Sequence, residues 1–269
     1  MIIDLHTHIF PDKIAQKTIE HLSNKGGIPP YSDGSANGLI ERMTEAGVDI
    51  SISLPVMTSP SQFDSINRFA IEINEKYKNE QRRIISFGGI HPKCDDIEGK
   101  ISFIKESGFL GVKIHPDYQE TFIDDEGYLK IITLAKKLDL IVVTHAGVDG
   151  GYLGMPVRCT PDRVKDVIAK TGHSKLVLAH LGANEMHSEV IDKLCGMDVY
   201  LDTAYVLRFV GEDVFKKILE KHGEDKILFA TDSPWSDMKN DIAILKSFSL
   251  GKDIEEKILY KNAKKLLGI

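Results

Sequence analysis

The segment from Phe109 to His145 reads FLGVKIH at 109–115, a stretch of helical pattern over Asp124–Leu138, and LIVVTH at 140–145. Two short apolar runs rich in β-branched residues, separated by one helix, predict a strand–helix–strand crossover with parallel strands. Each run ends in a histidine, His115 and His145. Side chains two apart on a strand share a face. Gly111, Lys113 and His115 therefore form one face of the first strand, and Ile141, Val143 and His145 one face of the second.

The same unit repeats in both directions. Upstream are Ile2-Ile3-Asp4-Leu5-His6-Thr7-His8, DISISLP at 49–55 and RIISFGGI at 83–90. Downstream are KLVLAH at 175–180, Val199–Thr203 and ILFAT at 227–231. Helices are expected at Gly38–Ala46 (closed by Gly47), Ser61–Asn79, Asp96–Ser107, from Thr160-Pro161 to Lys170, and at Asn184–Leu194, Gly211–His222, Lys239–Phe248 and Asp253–Leu267. Thr160-Pro161 supplies a cap and a first-turn proline. Eight strand-like runs alternating with helices predict an α/β fold, a single-domain (β/α)8 TIM barrel. No Gly-x-Gly-x-x-Gly follows the first strand, which argues against a dinucleotide-binding sheet. The stretch 9–37, with a short helical piece around Lys13–Leu22, breaks the alternation. It is expected to be a lid or insertion.

Composition sets limits. Apolar residues make up 42% and charged residues 28% of the 269 positions, enough for a core and a solvated surface. A net charge of −6 without a basic block disfavours nucleic acid as a partner. Cys94, Cys159 and Cys195 are odd in number and widely spaced, which suits reduced thiols rather than a disulfide framework. No apolar run approaches the roughly 18 residues of a membrane span. With no apolar leader pattern at the N-terminus, a cytoplasmic protein is expected. The expected partner is a small-molecule substrate, with neither nucleic acid nor membrane, and a homo-oligomer is left open.

Barrel enzymes carry their chemistry at the C-terminal strand ends. There the sequence places His6 and His8, His91, Lys113 and His115, His145, His180, Asp202 and Asp232, while His21, His173, His187 and His222 fall in helices or connections. Alternation predicts that Leu176, Leu178 and His180 face inward, as do Leu228, Ala230 and Asp232. It also predicts that Asp4 faces inward beneath His6. Imidazoles gathered with a carboxylate suit a borderline divalent cation such as Zn²⁺. Such an ion acidifies a bound water and polarises a carbonyl, and a neighbouring carboxylate can serve as general base.

Asp-Leu-His-Thr-His at 4–8, His145, Ala179-His180-Leu181-Gly182 and Ala230-Thr231-Asp232-Ser233-Pro234 together resemble the amidohydrolase superfamily, and within it the amidohydrolase-2 branch. The resemblance runs nearly the whole chain. It implies that His6, His8, His145 and Asp232 bind a metal, and that His180 either binds a second metal or polarises water or substrate. One ion, most simply Zn²⁺, is expected rather than two. Lys113 sits where two-metal members carry a carboxylated lysine or a glutamate. It is either carboxylated and bridging, or an ammonium that pairs with Asp232 or Asp202 or binds an anionic substrate group. His115 could be a ligand, a substrate contact or a loop anchor, and Asp4 would orient a ligand. His91-Pro92 is similar to a turn of TatD-type nucleases, but the strand 4 glutamate of that branch is absent and strand 8 reads Ala-Thr-Asp rather than Glu-Thr-Asp.

Asp117, Tyr118 and Gln119 occupy the place of a substrate loop or an ordinary turn. Arg158, after the Gly-rich run Gly147–Gly154, is either a contact for a substrate carboxylate or a solvated side chain. Trp235 would wall the pocket or pack under the last helix. The leading expectation is a metal-dependent hydrolase of a small amide, ester or lactone that uses a metal-activated water, with Asp232 as general base and His180 polarising the electrophile. The alternatives are a metal-dependent decarboxylase, which the same branch contains, then a TatD-like nuclease and a non-catalytic barrel.

Overall fold

The computed structural model describes residues 1–269. Its strands are β1 (Ile3–Thr7), β2 (Ile50–Ser53), β3 (Arg83–Ser86 continuing into Gly88–Gly89), β4 (Gly111–Ile114), β5 (Ile141–Thr144), β6 (Leu176–Leu178), β7 (Tyr200–Asp202) and β8 (Ile227–Leu228). Neighbours pair in parallel and in chain order. At Phe87 β3 changes partner: Arg83–Ser86 pair with β2, and Gly88–Gly89 with β4. The ring closes where Leu5 N donates to Phe229 O (3.0 Å), Asp232 N to His6 O (2.8 Å) and His8 N to Ser233 O (2.7 Å). The chain is the expected TIM barrel.

Two apolar layers follow from the alternation. Ile52, Phe87, Ile141, Val143, Leu228 and Ala230 fill the interior, where Leu266 and Leu267 of the C-terminal helix join them. Val112, Ile114, Val142 and Phe229 pack outward beneath the helices. Inward placement of Lys113 and of the Leu228–Ala230 face thus agrees with the alternation.

In β1 and β6 it does not. The pairing of β1 with β2 runs Asp4↔Ser51 and then Thr7↔Ser53, so three residues of β1 oppose two of β2. This bulge sets Ile3 and Leu5 in the interior cluster and still lets His6 face the barrel axis. Asp4 points the other way. It accepts from Thr231 N (3.0 Å), Thr231 Oγ1 (2.5 Å) and His6 N (3.2 Å), locking β1 to the segment after β8. In β6 it is Val177 that faces inward, while Leu176 and Leu178 face the helices. His180 reaches the mouth because the strand has ended and His180 (φ 62) and Leu181 (φ 51) turn through left-handed backbone.

The helices are set by local chemistry. Ser35 accepts from Gly38 N to start α2 (Ala36–Ala46), which Gly47 ends at φ 74, and Thr160 accepts from Arg163 N to start α6 (Pro161–Thr171). The helix in the 9–37 stretch, α1 (Asp12–Gly26), is longer than its sequence pattern indicates and ends on Gly27 at φ 66. The helix expected at Asn184–Leu194 shrinks to α7 (His187–Lys193), and Gly211 interrupts Leu207–His222.

One buried histidine away from the mouth makes the barrel acid-sensitive. His173 Nε2 donates to Leu140 O at 3.0 Å, and burial lowers its pKa to about 4. The unfolded chain takes up this proton near pH 6.5 and the folded one only near 4. Stability present above pH 6.5 is therefore lost as pH falls through this window, by up to about 3 kcal/mol. Urea unfolding at pH 7 and pH 4.5 should show the loss, and His173→Gln should shrink the difference between the two. An unchanged difference would contradict the assignment.

Candidate active site

At the mouth, backbone and carboxylate acceptors fix the imidazoles. His8 Nδ1 bonds Leu54 O at 2.8 Å, and His6 Nδ1 bonds Asp202 Oδ2 at 2.9 Å. With hydrogens on Nδ1, both rings present bare Nε2 atoms, which meet Asp232 Oδ1 at 3.0 Å (His8) and 3.4 Å (His6). Three acceptors this close require positive charge beside them, from a proton, a metal ion or the neighbouring Lys113 ammonium. The N,N,O set, each imidazole oriented from behind by an oxygen, fits a divalent ion. Asp232 itself stands at φ 66. A backbone of this kind in a non-glycine residue costs on the order of 1–3 kcal/mol and is found where a site over-determines it.

Lys113 Nζ lies 3.0 Å from His6 Nε2. His180 Nδ1 bonds Ala204 O and its Nε2 meets His145 Nδ1, both at 2.9 Å. With its hydrogen on Nδ1, His180 offers a lone pair at Nε2, which is the atom of a ligand or base rather than of a group that polarises by donating. His145 in turn donates from Nδ1, and its Nε2 is buried without a partner. His115 stacks on His145 with ring centroids 4.4 Å apart and an interplanar angle of 7°.

Burial dominates the electrostatics. It drives His6 and His115 well below the usual imidazole range and takes His145 and His180 to about 3, with the Lys113 charge acting in the same direction. These rings are neutral at pH 7 and keep their lone pairs. Burial lowers Lys113 to about 8 against the pull of Asp202 and Asp232, and raises Asp202 to about 7. For Asp232 burial alone would raise the pKa. Contact with His8 and the Lys113 charge outweigh it and hold the carboxylate below its ordinary value.

Above this floor opens a cavity of about 460 Å³. His6, His8, Lys113, His115, His145, His180 and Asp232 all line it, so the structure gathers nearly every strand-end residue in one place. Its walls include Phe10, Ile14 and Leu22 from the 9–37 stretch, Phe69 of α3 (Phe63–Tyr77), and Trp235. Arg158 does not line it; Arg158 Nη1 sits 3.3 Å from Asp117 Oδ1. His91 is outside it as well, its Nδ1 accepting from Lys93 N at 3.1 Å. Gln119 is a structural knot. Its Nε2 donates to Met57 O and Ile90 O, and its Oε1 accepts from His115 N and Tyr128 Oη.

Some contributors carry little signal in the sequence. Asp202 bonds His6 and also accepts from His180 N and Ala204 N, both at 3.0 Å. Its strand-end position was legible, but its partners were not. Asp149, hidden in the Gly-rich run, stands 3.5 Å from His115 Nε2. His187 Nε2 bonds the His180 carbonyl at 3.1 Å and buttresses the left-handed turn.

A barrel that gathers neutral imidazoles and a carboxylate at the C-terminal ends of its strands has the build of a metal-dependent TIM-barrel enzyme. The chain belongs to the amidohydrolase family, whose amidohydrolase-2 model matches residues 3–269. No curated protein matches it by sequence. Among solved structures it is similar to an uncharacterised TIM-barrel protein of Bordetella bronchiseptica (TM-score 0.76, 16% identity, 99% of this chain and 98% of that one). It is also similar to 2,6-dihydroxybenzoate decarboxylase from Rhizobium (0.70, 14%, 99% and 98%). A third is a dihydroxybenzoic acid decarboxylase from Polaromonas with bound manganese and an inhibitor (0.69, 14%, 99% and 96%). At these identities the likeness shows the fold. No helix is long and apolar enough to cross a membrane.

Proposed function

We propose that the chain is a metal-dependent decarboxylase of a small carboxylic acid. The observation that carries this reading is the cavity: Lys113 is its one lysine or arginine, set at the floor beside Asp232 under apolar walls. The decarboxylases among the similar structures support the same reaction class. His6, His8 and Asp232 would hold the ion, with His145 and His180 beside them. Zn²⁺ and Mn²⁺ both accept such a set. When bound, the ion supplies positive charge that stabilises negative charge developing on substrate oxygens.

The chain's own groups do the rest. The apolar walls strip water from the acid, which weakens its hydration and favours loss of neutral carbon dioxide. The Lys113 ammonium orients the anionic group. Asp232, held ionised at rest with Oδ1 turned to His6 and His8, would take the acidic proton of the substrate on its other oxygen. As the carbon–carboxyl bond breaks, its electron pair stays on carbon, and Asp232 returns the proton there. One acid becomes one carbon dioxide and one C–H bond, with no water consumed.

The 9–37 stretch would act as the lid. Lys25 lies over the rings of Tyr152 (3.7 Å to the centroid) and Tyr118 (4.6 Å), tying the end of α1 to loops after β5 and β4. Loss of such a clasp is worth about 1 kcal/mol, or roughly fivefold. Lys25→Ala should therefore raise KM by that factor with kcat little changed in steady-state kinetics. An unchanged KM would remove the clasp from the account.

One observation favours hydrolysis as a second reading: Asp232 is held ionised, as a base that takes a proton from water must be. Products separate the two. The Mn²⁺-loaded enzyme in D₂O, screened over small carboxylic acids, should release carbon dioxide and place one deuterium on the product carbon. Incorporation of ¹⁸O from labelled water into an ester, amide or lactone product, without carbon dioxide, would replace decarboxylation by hydrolysis.

A further inference from the structure

We infer that Arg208 is a positioning residue for Asp232: it holds the turn at 232–235 and so sets how tightly the mouth binds a divalent ion. The turn hangs from its carbonyls. Trp235 N donates to Asp232 O (2.8 Å), His8 N to Ser233 O (2.7 Å), Tyr31 N to Pro234 O (2.7 Å) and Arg208 Nη2 to Trp235 O (3.1 Å). Four successive carbonyls are thus tied to the turn itself, to the end of β1, to the 9–37 stretch and to the first turn of α8 (Leu207–His222). Three of the donors are backbone groups. Arg208 supplies the one side chain among them, and it is the donor that a substitution can remove.

The guanidinium is itself held. Its carbon lies 4.5 Å from the centroid of the Tyr205 ring and 4.8 Å from that of Phe209. Stacking of this kind fixes the plane of an arginine in a way that a lysine cannot match. Tyr205 stands at φ 68 and its N donates to Thr231 O at 3.2 Å, and both Tyr205 and Trp235 line the cavity. One side chain therefore joins the loops after β7 and β8 beside the site. What it secures is Asp232, at φ 66 with Oδ1 turned to His6 and His8 Nε2. Left-handed backbone in such a residue persists only where its surroundings over-determine it. With the Trp235 carbonyl released, the carboxylate loses its fixed place, and binding an ion must then reorder it.

The inference rests on Asp232 as a ligand and not on the decarboxylase reading. Trp235 is the one tryptophan of the chain, so its emission reports the turn directly. In the metal-free protein, Arg208→Met should shift that emission to longer wavelength and increase its quenching by acrylamide. Titration with Mn²⁺ should show an affinity lower by roughly tenfold, the worth of one charge-assisted hydrogen bond. A merely structural arginine would lower Tm and leave both emission and Mn²⁺ affinity as in the wild type, and that result would overturn the inference. The Arg208 charge also acts on buried Asp241, which the methionine leaves uncompensated. Should that variant not fold, Arg208→Lys carries the test, since it keeps the charge but not the flat fork. A loss of about two- to threefold in Mn²⁺ affinity is expected there, and wild-type affinity would overturn the inference. Wild-type protein that binds no Mn²⁺ would instead remove the metal site on which it rests.

Discussion

Asp232→Asn is expected to lower kcat by roughly 10²–10⁴-fold, the range for losing a positioned proton-transfer group. The amide keeps the shape but cannot take a proton, and it removes the negative charge that faces His6 and His8 Nε2. Ion content should fall with activity. The fold should survive, for two reasons. Asparagine tolerates left-handed backbone, and Asp232 stands at φ 66. The desolvation cost that a neutral amide escapes offsets much of the favourable contact that held the carboxylate ionised. The melting temperature should thus change little while kcat collapses. A kcat within tenfold of wild type would take Asp232 out of the proton path.

The largest loss of stability is expected from Gly147→Ala. Gly147 lies two residues beyond His145, at φ 84, and pairs with Asn184 in a bridge that joins the loops after β5 and β6. An added Cβ would stand 2.2 Å from Asn184 N and 2.3 Å from Asn184 O, backbone atoms that cannot swing aside. Left-handed strain and overpacking each cost on the order of 1–3 kcal/mol, together about 3 kcal/mol. In a chain of this size that corresponds to roughly 6–12 °C in Tm. Because the bridge sets the spacing of His145 and His180, kcat should fall as well. Calorimetry and kinetics on the one variant check both, and a Tm within 2 °C of wild type, about the smallest shift for a 1 kcal/mol change, would contradict the reading.

The eight-strand order and the gathering of His6, His8, Lys113, His115, His145, His180 and Asp232 at one mouth were legible because strand period and strand end are local properties. Alternation held for β4 and β8, where no irregularity intervenes. It failed for β1, where a bulge absorbs one residue between Asp4 and Thr7, and for β6, where His180 and Leu181 turn left-handed. Both departures are held by partners distant in sequence. Thr231 pins Asp4, and Asp202 holds the His180 turn. No short window around residue 4 or 180 contains those partners.

Arg158 shows the opposite limit. Its position after β5 suggested a substrate contact, but only the fold reveals Asp117 as its partner. The choice between hydrolysis and decarboxylation was equally beyond the strand ends, since one set of ligands serves both. The cavity walls and the decarboxylases of the same fold tip the reading toward loss of carbon dioxide.

The central claim is that His6, His8 and Asp232 hold a catalytic divalent ion. Anomalous scattering at the absorption edge of the metal found in the purified protein tests it most directly. The account predicts a peak enclosed by His6 Nε2, His8 Nε2 and Asp232 Oδ1. Crystals of metal-loaded protein with no peak there, and only water or Lys113 Nζ among the three atoms, would contradict it.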